Sequence, residues 1–297
     1  MNRRTSCGGA MVWVAAVLMI ASVRAAEPPA DVVFEPDITY ATVAGEELKL
    51  NLARPKDAKG DRPCILVIHG GAWRAGDRAG HNDLTWKFAQ RGYVSATIGY
   101  RFCPKYLFPA QVQDVKCAVR FLRANAGKYN IDVNRFGAVG FSAGAHLSMM
   151  LGVMDKADGL DDSGGWPDQS SKVQAVVSFF GPTDMREEFP AASVPLLLGF
   201  LGGTPTEKPE AHRLASPVTY VTAGDAPMLL FQGTKDPLVP HQQAILMLDA
   251  MTKAGVPGRV ELLAGSSHGW GGAELNRTVL AMNAFFDEYL LKKSAAK

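Results

Sequence analysis

The sequence predicts a mostly parallel, doubly wound α/β sheet with an antiparallel hairpin at its amino-terminal edge, built as one large domain. Three observations carry this. The 297 residues are 47% hydrophobic and 20% charged, enough apolar material for a full core and too much for a disordered or fibrous chain. Short apolar runs recur without polar alternation, as strands must read when helices cover both faces of a sheet. Between most of them lie helical patterns at steps of three and four, and right-handed crossovers then place helices on both sides.

Residues 26–36 read as a leader, and Ile38 to Val43 and Leu48 to Ala53 as two β runs about Ala44-Gly45, an antiparallel hairpin. The apolar runs begin at Cys64 to Ile68 and Tyr93 to Ile98, with a helix from Leu84 to Gln90 between them. Val112, Val115, Val119 and Leu122 place one stripe on a helix from about Pro109 to Ala126. Phe136 to Gly140 is the next strand, followed by an apolar helix pattern from Ala145, and Ala175 to Phe180 the one after. Met228 to Phe231 and Val260 to Leu263 complete the strands, with helices from Gln242 to Lys253 and from Leu275 to Leu291. Two stretches break the rhythm. Asp155 to Ser171, rich in Asp, Gly and Ser, reads as an exposed loop; residues 182–227, crowded with Pro and Gly, read as a small lid or pocket wall within a domain spanning 37–293.

The formal charge of +2 has a local origin. Arg3, Arg4 and Arg24 lie in the first 25 residues, which hold no acid; without them 28 basic residues face 29 acidic ones, with no basic run. Affinity for nucleic acid is therefore not indicated. Arg3-Arg4, the apolar stretch Ala10 to Val23 and the small residues before Glu27-Pro28-Pro29 read as a cleaved export signal over residues 1–25. The alternative is a membrane anchor, but about 14 apolar residues fall short of the ~20 that span a bilayer. The expected product is periplasmic or secreted, without a stable membrane anchor after cleavage. Cys64, Cys103 and Cys117 would remain, an odd number that allows at most one disulfide. No Cys-x-x-Cys or His-Glu-x-x-His occurs and the six histidines are scattered, so no metal or other cofactor is expected.

Chemistry enters at Gly140-Phe141-Ser142-Ala143-Gly144, a G-x-S-x-G pentapeptide after a strand and before a helix, the context of a nucleophile elbow. His69-Gly70-Gly71-Ala72-Trp73 follows the strand ending at Ile68. Its Gly71 and Ala72 amides, with that of Ala143, are placed to form an oxyanion hole, and Gly70 to shape the turn. A serine needs a base and the base an orienting carboxylate. Asp236 lies just beyond Phe231 and His268 just beyond Leu263, the strand ends where such sheets present their sites. Asp184, after the strand ending at Phe180, is the other acid to weigh; Asp236 is favoured because it precedes the histidine's strand immediately. His81, His146, His212 and His241 read as loop or core residues, and His69 as a brace for the glycine loop. Trp73, Phe141, Phe200 and Trp270 are pocket walls or core, the latter role at least equally for Phe141 and Phe200.

The motifs just quoted, with Tyr100-Arg101, Phe108-Pro109-Ala110-Gln111 and Asp114, Ala145-His146-Leu147, Ala215-Ser216-Pro217 and Gly233-Thr234-Lys235-Asp236-Pro237, resemble the α/β-hydrolase esterases of the hormone-sensitive-lipase type. The nearer likeness is to bacterial feruloyl-esterase-like and acetylxylan-esterase-like enzymes, from about residue 37 to 291. It implies a serine carboxylesterase acting on a small-molecule or polysaccharide-linked ester, with short or aromatic acyl groups. Ala72 departs from the pattern, standing where lipase-type members often carry a third glycine. Two other readings stay open: an arylformamidase-like amidase, and a catalytically silent carbohydrate-binding or interaction protein on the same scaffold.

Overall fold

In the computed structural model, which describes residues 27–161 and 163–292, eight strands form one sheet. They are β1 Val32–Val43, β2 Glu46–Pro55, β3 Arg62–Ile68, β4 Val94–Ile98, β5 Ile131–Phe141, β6 Ala175–Phe179, β7 Met228–Gly233 and β8 Gly258–Leu263. Their order across the sheet is β1-β2-β4-β3-β5-β6-β7-β8. The β1–β2 and β2–β4 pairs are antiparallel and every later neighbour is parallel. The helices are α1 Asn82–Gln90, α2 Ala110–Ala124, α3 Ala126–Tyr129, α4 Ala143–Val153, α5 Val194–Leu201, α6 Pro209–Leu214, α7 Gln242–Ala254 and α8 Gly272–Phe286. The export reading concerns residues 1–25, which lie outside the described residues.

Unalternating apolar strands find two cores, one on each face. Cys64, Leu66 and Ile68 of β3 point to a core shared with Val112, Leu147 and Met247 of α2, α4 and α7. Ile65 and Val67 point to the opposite core, shared with Phe88 of α1 and Met282 and Phe286 of α8. Helices cover both faces, which is why no polar residue follows Arg62 in β3.

The first strand starts six residues before the predicted Ile38, within the stretch read as a leader. Val32 is buried with Ala53, Trp86 and Ala89, and Phe34 packs edge-on against Trp86 at 5.5 Å. Glu35-Pro36-Asp37 conceals this in the sequence: the pairing slips between Glu35 and Ile38, Asp37 takes φ 57°, and the ladder then resumes. The domain therefore begins by residue 32. The stretch 182–227 carries more helix than its prolines foretold, because Pro195 and Pro209 occupy the first turns of α5 and α6, where a missing N–H costs no hydrogen bond. Asp155 to Ser171 is irregular as read, yet tied down. Buried Lys116 of α2 donates to the Asp155 and Gly159 carbonyls at 3.2 and 2.7 Å, and Arg120 to that of Ser163 at 2.6 Å. Cys64, Cys103 and Cys117 are all free thiols, buried in the fold.

β3 and β5 are neighbours, but the chain leaves β3 toward α1 on one face and leaves β5 into α4 on the other. The loops after these two strands diverge above the sheet, and open α/β sheets place their sites in that crevice.

Candidate active site

Ser142 stands at the turn between β5 and α4 with φ 53° and ψ −118°, a conformation that costs a non-glycine residue about 1–3 kcal/mol. Its N–H is tied to the Phe179 carbonyl at 2.9 Å, and its carbonyl accepts from Ala145 and His146. The flanking glycines are required by proximity. A β-carbon on Gly140 would lie 2.1 Å from the Gly144 carbonyl oxygen, and one on Gly144 would lie 2.1 Å from that of Ile68. The G-x-S-x-G spacing is thus the steric condition for strand, turn and helix to meet.

Three side chains from three strand ends converge here. Asp236 Oδ2 accepts from His268 Nδ1 at 2.7 Å, which fixes the imidazole proton on Nδ1 and leaves Nε2 as an acceptor. Ser142 Oγ lies 2.9 Å from that Nε2 and donates to it. Asp236 is itself held from all sides: Leu238 and Val239 amides reach Oδ1 at 2.8 and 2.9 Å, and Gln232 Nε2 reaches Oδ2 at 2.9 Å. Burial alone would raise its pKa, but the hydrogen bonds from His268, Val239 and Leu238 outweigh that and hold the carboxyl below its ordinary value. A carboxylate so placed stays ionised and orients the base. Asp184, the other acid weighed, pairs instead with Arg186 at 2.6 Å.

Facing Ser142 is the loop after β3. Gly71, Ala72 and Trp73 all have positive φ (112°, 52° and 56°), and the Gly71 carbonyl accepts from Arg74 and Ala75, each at 3.0 Å. The Gly71 and Ala72 amides donate to no protein acceptor among the described residues, and Ala143 opens α4, where an N–H has no acceptor within the helix. Two of the loop's neighbours hold it. His69 Nδ1 donates to the Gly70 carbonyl at 2.7 Å, the bracing role its position indicated. Trp73 Nε1 donates to Nδ1 of buried His146 at 3.1 Å, His146 Nε2 donates to the Ala215 carbonyl at 2.7 Å, and the Trp73 ring stacks on Phe200 at 4.1 Å. Burial pushes the His146 imidazole down to about 4, against the opposing effect of the Ala215 carbonyl.

The serine opens into a cavity of about 340 Å³ lined by Gly70, Gly71, Ala72, Trp73, Phe141, Ser142 and His268 on the catalytic side. Phe180, Pro182, Phe189, Ser193, Leu196, Leu197, Leu238 and Val239 make the rest. Trp73 and Phe141 both line this cavity. Trp270 does not reach the lining: its Nε1 donates to Thr278 Oγ1 at 3.0 Å and its ring packs behind Phe180 at 5.4 Å, so Phe180 covers it. Phe200 is core, wholly buried behind Trp73. The α5 residues were missed individually. Val194 to Leu201 is apolar on every side, which a buried helix shares with a pocket wall, and only the Pro- and Gly-rich surroundings marked the region. Chemically, the site holds a hydroxyl hydrogen-bonded to an imidazole, a carboxylate fixing that imidazole, and unpaired amides beside an apolar cavity.

Known proteins share this frame. Residues 50–251 match the family model described as BD-FAE. A probable carboxylic ester hydrolase of Mycobacterium tuberculosis, LipM, is 28% identical over 270 residues, covering 87% of this chain and 62% of the relative. The chain therefore spans less than two thirds of that relative's length. Among solved structures, a truncated carbohydrate esterase from gut microbiota superposes with a TM-score of 0.79 at 30% identity, over 89% of this chain and 99% of the other. Esterase 2 of Thermogutta terrifontis, phosphorylated by paraoxon, superposes with a TM-score of 0.74 at 25% identity, over 89% and 97%.

Proposed function

The chain belongs to the BD-FAE family of α/β-hydrolase esterases, and from that premise we propose that it is a serine carboxylesterase working through an acyl-enzyme on Ser142. The observation that carries the proposal is the Ser142–His268–Asp236 relay, 2.9 and 2.7 Å long, facing unpaired amides. Ser142 Oγ attacks the ester carbonyl carbon as His268 Nε2 takes its proton, and the oxyanion is stabilised by the Gly71, Ala72 and Ala143 amides. Collapse breaks the bond to the alcohol, which leaves with the proton from His268. Water then adds to the acyl carbon, giving its proton to Nε2, and the second collapse returns that proton to Ser142 as the acid departs. Because the amides are fixed by backbone, Ala72 serves as well as a glycine would.

The acyl group enters the apolar cavity, whose size and lining by Leu196, Leu197, Phe180, Phe189 and Val239 support short aliphatic or single-ring aromatic acyl groups. The likeness to a carbohydrate esterase supports an alcohol portion on a polysaccharide. Hydrolysis of p-nitrophenyl acetate, methyl ferulate and acetylated xylan, compared between the parent and Ser142→Ala, tests the reading. Turnover lost in the variant is the expected result. Turnover that survives it, or none on any ester, contradicts the proposal and turns attention to amide substrates.

A further inference from the structure

Beside the apolar cavity lies a second cleft, of about 380 Å³, whose wall includes Glu47, Lys49, His69, Asp77, Phe102 and Tyr106. It opens on the same side of the sheet as Ser142. Gly99, just past the carboxyl end of β4, donates to the Lys49 carbonyl at 3.0 Å, so the start of β2 lies against the ends of the parallel strands. The loop bearing the Gly71 and Ala72 amides is the partition between the two spaces. A β-carbon on Gly70 would sit 3.3 Å from Ser142 Cβ, while the Gly70 carbonyl accepts from His69 at 2.7 Å.

The chemistry of the cleft differs from that of the cavity. Its cations already hold acids: Lys49 pairs with Glu47 at 2.9 Å, Arg101 with Asp114 at 2.7 Å, Lys105 with Glu46 and Arg78 with Asp37. Each cation of the wall is thus matched by an acid among the described residues, which disfavours an anionic ligand. Asp77, whose Oδ1 accepts from the Ala79 amide at 2.8 Å, is the one acid of the wall without a cation among the described residues. His69 supplies the second feature. The residue is 3% exposed, and because its Nδ1 donates to a carbonyl, Nε2 carries the lone pair, with no partner among the described residues. His69 is a wall residue of the cleft, and an acceptor there without a protein donor can take a hydrogen bond from a ligand hydroxyl. Fixed acceptors, charges neutralised in pairs and the rings of Phe102 and Tyr106 together suit a neutral polyhydroxylated ring.

We propose that this cleft is a glycosyl subsite that takes a neutral sugar unit of the ester's alcohol portion, with one hydroxyl donating to His69 Nε2 and another to Asp77. The apolar cavity and the polar cleft then divide the substrate between its acyl and sugar ends, on either side of the loop that stabilises the reacting oxygen. The inference rests on the esterase reading and extends it to the alcohol.

Titration calorimetry of xylotetraose against Ser142→Ala protein reads sugar binding apart from turnover. Saturable binding is expected, and Glu47→Trp, which fills the cleft from an exposed position on its rim, is expected to weaken it by about tenfold or more. The ratio of kcat/KM for an acetylated xylo-oligosaccharide to that for p-nitrophenyl acetate should fall by about tenfold in the same variant, through KM. Asp77→Asn serves as a second variant, lowering that ratio in the same direction, with an unchanged unfolding midpoint showing that the fold is intact. Absence of xylotetraose binding, or binding and a substrate ratio that neither variant alters, overturns the subsite. Turnover persisting in Ser142→Ala overturns the esterase reading and leaves the binding result to stand alone.

Discussion

Asp236 accepts four hydrogen bonds, and only one of them comes from His268. The other three keep the carboxylate in place whatever the histidine does, so Asp236 dictates the imidazole tautomer rather than following it. An asparagine there would fit the same space but turn an N–H toward Nδ1, moving the histidine's proton to Nε2, where it can no longer accept from Ser142. Asp236→Asn is expected to lower kcat about 10⁴-fold while KM changes little. Asp184→Asn, which perturbs the pair with Arg186 and the bond accepted from Ser216 Oγ but touches neither Ser142 nor His268, should leave kcat near that of the parent. Steady-state kinetics on p-nitrophenyl acetate for the two variants separate the acids. At this scale the sequence was most informative: Ser142, Asp236 and His268 each follow an apolar strand, and strand ends are where this architecture exposes side chains. Trp270 shows the limit. It follows His268 closely and is aromatic, but its indole N–H finds Thr278 of α8, a partner that only the packing of that helix supplies.

Helix α5 decides how deep the cavity is, through Leu196 and Leu197. Leu197 is buried at the junction with the core, whereas Leu196 is half-exposed and can be enlarged without displacing packed neighbours. Leu196→Trp is expected to cut kcat/KM on p-nitrophenyl butyrate about tenfold more than on the acetate, measured as a ratio of the two. A variant that slows both esters equally would place the acyl group elsewhere. Elements with one consistent pattern were readable from sequence: β3, β6 and α2 lie within two residues of their predicted bounds. Elements whose pattern depends on a distant partner were not. β1 needs Trp86 to explain why Val32 and Phe34 are strand residues, and α5 needs the cavity to explain why an all-apolar helix is only partly covered.

Across the whole molecule, the loop facing Ser142 is fastened to the core by a titratable group. The Trp73–His146–Ala215 chain requires His146 neutral, since Trp73 donates to its Nδ1 lone pair. With the folded value pushed down to about 4 against about 6.5 in the unfolded chain, the unfolded state binds a proton that the folded state refuses between those limits. Stability is therefore complete above about pH 6.5 and falls as the pH drops toward 4, with about 2 kcal/mol lost by pH 5 from this group. His69 and His81, also held down by burial, act in the same sense. Urea unfolding of the parent should show a marked loss between pH 7 and pH 5, and His146→Gln a smaller one from a lower starting stability; an equal loss in both would remove His146 from the account. The central claim, that Ser142 is the nucleophile and His268 its base, is tested most directly by treating the protein with paraoxon and locating the adduct by peptide mass spectrometry. A single phosphoryl group on the peptide bearing Ser142, formed in step with loss of esterase activity and not formed by His268→Ala, is the expected result. Loss of activity with Ser142 unmodified, or labelling that proceeds equally well without His268, would contradict it.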